Sequence, residues 1–311
     1  MAHVLVTGAA GFIGSHTTDR LLAAGHRVTG VDNFRTGRRS NLTSAFASTQ
    51  FAFHELDVAA IGRLDTLTAA VKPDALIHLA ALVSVQESMT DPDLNYALNV
   101  QATHFAAEAA RKNGVRRIVF ASSAAIYGDT TDLPIRESTE KKPISPYGSA
   151  KLASEAILLG HGAAFGLTVR CQRYFNVFGP RQDPASPYSG VISIFDRRYR
   201  DGKPVIIYGE GQQTRDFISV HDVARANVMA ATQPGVVSGA ANICTGRATS
   251  LLDIVEVFRR HYPQAAAPTH AAPRSGDIVH SLGIPENAAT ALGFRAEVPV
   301  AEGLAELIRT G

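Results

Sequence analysis

Three features of the 311-residue sequence predict an α/β fold built on a doubly wound parallel sheet. Short β-branched runs alternate with longer amphipathic segments, the pattern of right-handed βαβ crossovers. A glycine-rich turn, Gly8-Ala9-Ala10-Gly11-Phe12-Ile13-Gly14, follows the first run and opens a helix. The second run ends in Val31-Asp32, a carboxylate about 20 residues downstream of that turn.

In order, HVLVT is the first strand, the segment ending LLAAG is the first helix, and RVTGV, FAFHEL, ALIHLA, RRIVFAS and LTVRCQR are the next five strands. Their apolar character fits a sheet covered on both faces. This unit is expected to span residues 1–176. Beyond Pro180, polar clusters such as GPRQDPASPYSG separate shorter elements, so 177–311 is expected to form a smaller C-terminal lobe. TRDFISV and HDVARANVMAAT predict one more strand and helix, and about 216–246 is expected to return to the first unit.

Composition limits the function. A chain with 45% hydrophobic residues buries a sizeable core without staples. A net charge of +2 with no basic block excludes a nucleic-acid backbone as partner. The two cysteines, Cys171 and Cys244, form no CxxC pair, so no disulfide framework and no metal site are expected. The N-terminus lacks a basic n-region and no apolar stretch is long enough to span a membrane. A cytoplasmic protein is expected.

Glycines are required in the first turn because a Cβ would block the tight bend and the approach of a pyrophosphate to backbone N–H groups. Asp32, at a strand end, suits an adenosine ribose and repels a 2′-phosphate. Arg35, Arg38 and Arg39 nearby offer the opposite attraction, but loop arginines are commonly solvated charge. NAD is therefore preferred to NADP. Asp57-Val58 ends the third strand as either a helix cap or an adenine contact.

Ser145-Pro146-Tyr147-Gly148-Ser149-Ala150-Lys151 opens a helix, with proline in its first turn. Tyr147 and Lys151 are four residues apart and share a face. An ammonium beside a phenol is expected to lower the phenol's pKa from about 10 toward neutrality, as a base acting on a sugar hydroxyl requires.

Through GAAGFIG, DVAA, HLAA, SSAAIYGD, YGSAK, RYFNVFGPRQ, TRDFISVHDV and RSGD the sequence resembles the extended short-chain dehydrogenase/reductases, and within them the NAD-dependent nucleotide-sugar epimerase/dehydratase group. The resemblance implies a Rossmann-type domain and a catalytic trio: Ser123 bonding the reacting hydroxyl, Tyr147 accepting its proton, and Lys151 holding the nicotinamide ribose. It implies cofactor contacts from Gly8, Gly11, Phe12, Ile13 and Gly14 in the first turn, and from Asp32, Asn33, Arg35 and Gly37 after the second strand. Further contacts are implied at Asp57, Val58, Leu79, Ala80, Ala81, Asn99 and Tyr174. His78 is expected to be structural.

For a UDP-sugar, the resemblance places Asn176, Arg215 and Arg274 on the diphosphate, Asp277 on the uridine ribose, and the Val205–Tyr208 run, with Ile207 and Tyr208, beside the base; Val191 is expected as a further substrate contact. Arg181 reaches the sugar's far end or closes a salt bridge within its loop. Ser281 is small where epimerases restricted to unmodified hexoses carry a bulky aromatic. A homodimer paired through two helices is also implied.

Dehydratases of the group carry Asp-Glu after the strand-end hydroxyl, and decarboxylases carry Glu in the same motif. Here Ala124 and Ala125 stand there, and a methyl group transfers no proton. The expected reaction is 4-epimerisation of a UDP-sugar through a 4-keto intermediate. The alternatives are an NAD(P)-dependent keto-sugar reductase and a non-catalytic NAD-binding sensor. The sugar itself is left open between hexose, N-acetylhexosamine and uronic acid.

Overall fold

The computed structural model describes residues 1–183, 190–272 and 279–310. Six strands, β1 (His3–Thr7), β2 (Arg27–Asp32), β3 (Phe51–Glu55), β4 (Ala75–His78), β5 (Arg117–Ser123) and β6 (Thr168–Tyr174), run parallel in the large sheet. In the C-terminal half lie β7 (Asn176–Phe178), β8 (Ile206–Tyr208), β9 (Thr214–Arg215), β10 (Phe217–Ser219) and β11 (Gly239–Ile243). Three short strands follow: β12 (Thr249–Ser250), β13 (Thr269–Ala271) and β14 (His280–Ser281).

The large sheet has the order β11-β6-β5-β4-β1-β2-β3. The chain starts in the middle at β1, winds outward through β2 and β3, then crosses back to β4. The crevice at that reversal lies between the ends of β1 and β4, where Thr7 pairs with His78. β1 and β4 are buried along their whole length, which accounts for their unbroken apolar runs.

The helix Val220–Thr232 packs under the sheet against the first helix, Phe12–Ala23, through an Asn227 Nδ2 bond to Thr17 Oγ1 of 3.1 Å. β11 then pairs with β6, Ile243 opposite Tyr174. Residues 220–243 thus supply a helix and an edge strand to the N-terminal sheet. The run TRDFISV is split rather than continuous: β9 joins β12 and β14, whereas β10 pairs with β7. Asp216 breaks it, because its buried carboxylate accepts from Thr245 N, Gly246 N and Gly283 N.

A separate apolar core lies in the C-terminal half, where Phe195, Tyr199, Ile207, Phe258 and Leu304 pack together. Ile207 is fully buried there. Along β8 the side chains alternate, so half-buried Ile206 and Tyr208 face the other way.

Candidate active site

A cavity of about 920 Å³ runs along the carboxyl ends of β1, β2, β4, β5 and β6. Its floor is the first glycine turn. Gly8 has φ +71°, and a Cβ there would lie 2.7 Å from Ala80 N. A Cβ on Gly14 would come within 1.9 Å of Gly8 O. The turn therefore needs bare backbone, and the helix Phe12–Ala23 points its N-terminus and free N–H groups into the cavity.

At one end Asp32 Oδ2 accepts from Ala10 N at 2.9 Å and Oδ1 from Phe34 N at 2.8 Å. Burial raises its pKa and these N–H groups pull it back. The three neighbouring arginines are spent elsewhere. Arg35 is ion-paired with Glu87, Arg38 with Asp183 at 2.6 Å, and Arg39 lies over the Phe46 ring. Asn33 and Gly37 complete this wall. Asp57 and Val58 line the cavity, and Asp57 Oδ1 also closes a local turn by accepting from Ala59 N.

At the other end β5 delivers Ser123 and the helix Pro146–Phe165 delivers Tyr147 and Lys151. That helix starts where it does because Ser145 Oγ accepts from Gly148 N, with Pro146 at the first position. Ser123 Oγ accepts from Ala125 N at 3.1 Å, and the Ser123 side chain lowers the pKa of the neighbouring Tyr147 phenol. Lys151 Nζ donates to Ala121 O at 2.9 Å and sits 5.0 Å from the Phe120 ring centroid and 5.7 Å from that of Tyr147.

The electrostatics differ from the expectation of a phenol tuned by its lysine. Burial raises the Tyr147 pKa, and the opposing influence is the Ser123 side chain. The same exclusion of water pushes Lys151 down to about 7. Burial thus penalises the ammonium as well as the phenolate.

Of the residues expected at the cofactor, Phe12, Ile13, Leu79, Ala80, Ala81 and Tyr174 also line the cavity, whereas Asn99 does not. Asn99 is buried, its Nδ2 shared between Leu82 O and Asn95 Oδ1. Tyr174 spends its hydroxyl on Asn227 Oδ1 at 2.6 Å, so only its ring and backbone face the cavity. His78 is buried and bonded to Thr7 Oγ1 at 2.8 Å, a structural use.

The residues expected at the diphosphate and base are more dispersed. Arg181 lines the cavity yet pairs with Asp19 of the first helix at 2.7 Å, a partner outside its own loop. Asn176, Val191, Tyr208, Arg215 and Ser281 lie outside the cavity wall, Asn176 being exposed and the others half-buried. β14 pairs with β9, which sets Ser281 opposite Arg215. Arg274 and Asp277 lie outside the described residues. The sequence reading missed Ser84 and Glu87, at the start of the short helix Val85–Thr90, and the loop residues Gln182 and Asp183 in the cavity wall, polar residues without a motif of their own.

The site suits a dinucleotide: bare glycine backbone and a helix N-terminus for phosphates, a carboxylate for ribose, and a hydroxyl, phenol and amine together at the far end. Comparisons with known proteins agree. The model of the NAD dependent epimerase/dehydratase family matches residues 4–244. The chain is 38% identical over 305 residues to a UDP-glucose 4-epimerase of Mycolicibacterium smegmatis, covering 98% of this chain and 96% of that protein. It superposes with TM-score 0.88 and 34% identity on the Thermus thermophilus UDP-glucose 4-epimerase in complex with NAD, covering 99% and 98% of the two chains. With TM-score 0.93, 33% identity and coverage of 99% and 97%, it also matches a UDP-N-acetylglucosamine 4-epimerase from Methanobrevibacter ruminantium in complex with UDP-N-acetylmuramic acid. With NAD as its cofactor, the chain belongs to the NAD dependent epimerase/dehydratase family.

Proposed function

We propose that this protein is a UDP-hexose 4-epimerase, interconverting UDP-glucose and UDP-galactose, with Ser123, Tyr147 and Lys151 as its catalytic residues. The observation that carries the reading is the gathering of Ser123, Tyr147 and Lys151 on one cavity wall, with Ala124 and Ala125 following Ser123 at once. Tyr147 takes the proton of the C4 hydroxyl, and the Ser123 hydroxyl donates to the oxygen that becomes a carbonyl. Bound NAD supplies the hydride acceptor, and its reduced form the donor. With the 4-keto sugar turned over, a hydride returned to the other face of C4 would invert it, and Tyr147 gives the proton back to the C4 oxygen.

Nothing follows the strand end that is able to move a proton at C5, so the ketone goes back rather than on to elimination. The spent arginines around Asp32 favour NAD and a redox-neutral cycle over an NADPH-consuming reductase. Ser281, small and half-buried, supports acceptance of an N-acetylated sugar as a second substrate. Arg215, Asn176, Arg274 and Asp277 are proposed for the diphosphate and uridine. A homodimer is supported by the outer face of the helix Pro146–Phe165, which exposes Ala153, Ala156, Gly160 and Ala163.

The test is a UDP-sugar panel without added cofactor, scored by C4 configuration, with Tyr147→Phe beside the parent. Turnover by the parent and its loss by about 10²–10⁴-fold in Tyr147→Phe, with NAD still bound, is expected. Near-parental activity in Tyr147→Phe removes Tyr147 from the proton-acceptor role.

A further inference from the structure

Tyr147, Lys151 and Glu155 are spaced four apart on one helix and share a face. The first two line the cavity, and the third turns a buried carboxylate away from it toward β6. There Arg173 grips it as a fork, Nε to Oε1 at 2.9 Å and Nη2 to Oε2 at 2.8 Å. The remaining nitrogen, Nη1, donates to Tyr127 OH at 2.8 Å and to Glu137 O at 3.2 Å.

Tyr127 ends the 3₁₀ turn Ala124–Tyr127, which leaves β5 directly after Ser123. Its hydroxyl donates onward to Asn242 Oδ1 at 2.7 Å, and burial pushes its pKa up to about 12, so it stays neutral. The turn and the helix also meet without slack, because a Cβ on Gly148 would lie 2.6 Å from Ala125 O.

We propose that Arg173 is a positioning residue for the reaction: its guanidinium braces the helix carrying Tyr147 and Lys151 against the turn behind Ser123 and so sets the Ser123–Tyr147 geometry. This rests on the reading of Ser123 and Tyr147 as reacting-side groups. Stability is a poor reason for such a pair, since apolar residues of similar volume commonly replace a buried ion pair at no cost or with a gain. Geometry is a better one. A planar fork fixes the distance and direction of two elements at once, as an apolar contact or a lysine does not.

The experiment replaces both ends of the ion pair, Arg173→Met with Glu155→Leu, and separately makes Tyr127→Phe, which keeps the pair and the ring. UDP-galactose turnover, bound NAD and Tm are measured for each, with Tyr147→Phe as control. For the double variant the expectation is a Tm within about 5 °C of the parent, since the apolar swap costs little. NAD stays bound, KM stays within about threefold, and kcat falls by about 10²-fold, the scale of a 1 Å misplacement. Tyr127→Phe is expected to lose about tenfold in kcat at unchanged KM, a partial misplacement on the same scale. A kcat within about twofold of the parent in either folded, NAD-loaded variant overturns the brace, whatever the fold-loss scale assumed. Activity in Tyr147→Phe would instead overturn the proton-acceptor reading, so the two failures are distinguishable.

Discussion

The two ends of the cavity are built on opposite principles. At the reacting end Lys151 is 2% exposed and Ser123 and Tyr147 are half-buried, the groups stand on strand ends and a long helix, and a buried guanidinium ties those elements together. At the adenosine end the wall is a loop held by ion pairs that reach solvent: Arg35 to Glu87, and Arg38, its side chain 58% exposed, to Asp183. Dry, rigid surroundings make each charge expensive and each distance exact enough to matter for chemistry. Wet ion pairs are weak, reversible and screened by salt. The difference implies that chemistry and cofactor retention answer to different perturbations.

The largest effect is expected at the dry end. Lys151→Met should lower kcat by about 10²-fold or more, the scale of a lost acid/base partner, and at the same time raise stability. Folded Lys151 is neutral above about pH 7. Unfolded, it stays charged to about 10.4. The unfolded chain thus binds the extra proton between those values, and stability rises with pH across that window. The burial penalty is fully present below pH 7. Melting both proteins at pH 6 and pH 10 should show the variant ahead at pH 6, by about 2–4 °C per kcal/mol released, and the gap closing toward pH 10. A variant that melts lower at pH 6 would mean that the lysine is not penalised where it lies.

Next comes the floor shared by both ends. Gly14→Ala forces a methyl against Gly8 O and should leave a protein purified largely without NAD, measured by absorbance after denaturation. A smaller loss is expected from Asp32→Ala, which removes two charge-assisted bonds and weakens NAD binding by about 10–100-fold in titration calorimetry. NADP should gain nothing, because the nearby arginines already have partners. NADP-dependent turnover in that variant would show that these partners are easily surrendered.

The smallest effect belongs to the wet end. Arg38→Ala should speed NAD release by about 2–5-fold, the worth of an exposed pair, while kcat in excess NAD stays at the parental value. Raising salt from 50 to 500 mM should have the same effect on the parent and almost none on the variant. Equal salt sensitivity in both would remove the Arg38–Asp183 pair from cofactor retention.

Much of the reacting end was legible from the sequence. Ser123, Tyr147 and Lys151 stand in local motifs whose geometry is set by a strand end and an i,i+4 helix spacing, and the cavity brings them together. The adenosine end was half legible. Asp32 announced itself by spacing, but the fate of Arg35, Arg38 and Arg39 depended on Glu87, Asp183 and Phe46, distant in sequence for the first two. Asn99 and Ile207 show a related effect: each lies in the expected element, and packing turns its side chain inward.

The amino-acid sequence by itself determined the doubly wound sheet, the glycine turn and the spacing of the catalytic groups, because β and helical periodicities and the need for bare backbone are local properties. Only the tertiary structure decided the protonation preferences and the brace. Burial raises the phenol and lowers the amine. Arg173 meets Glu155 and Tyr127 only because three elements far apart in the chain converge behind the site. Desolvation and convergence are sums over neighbours, and no single stretch of chain contains them.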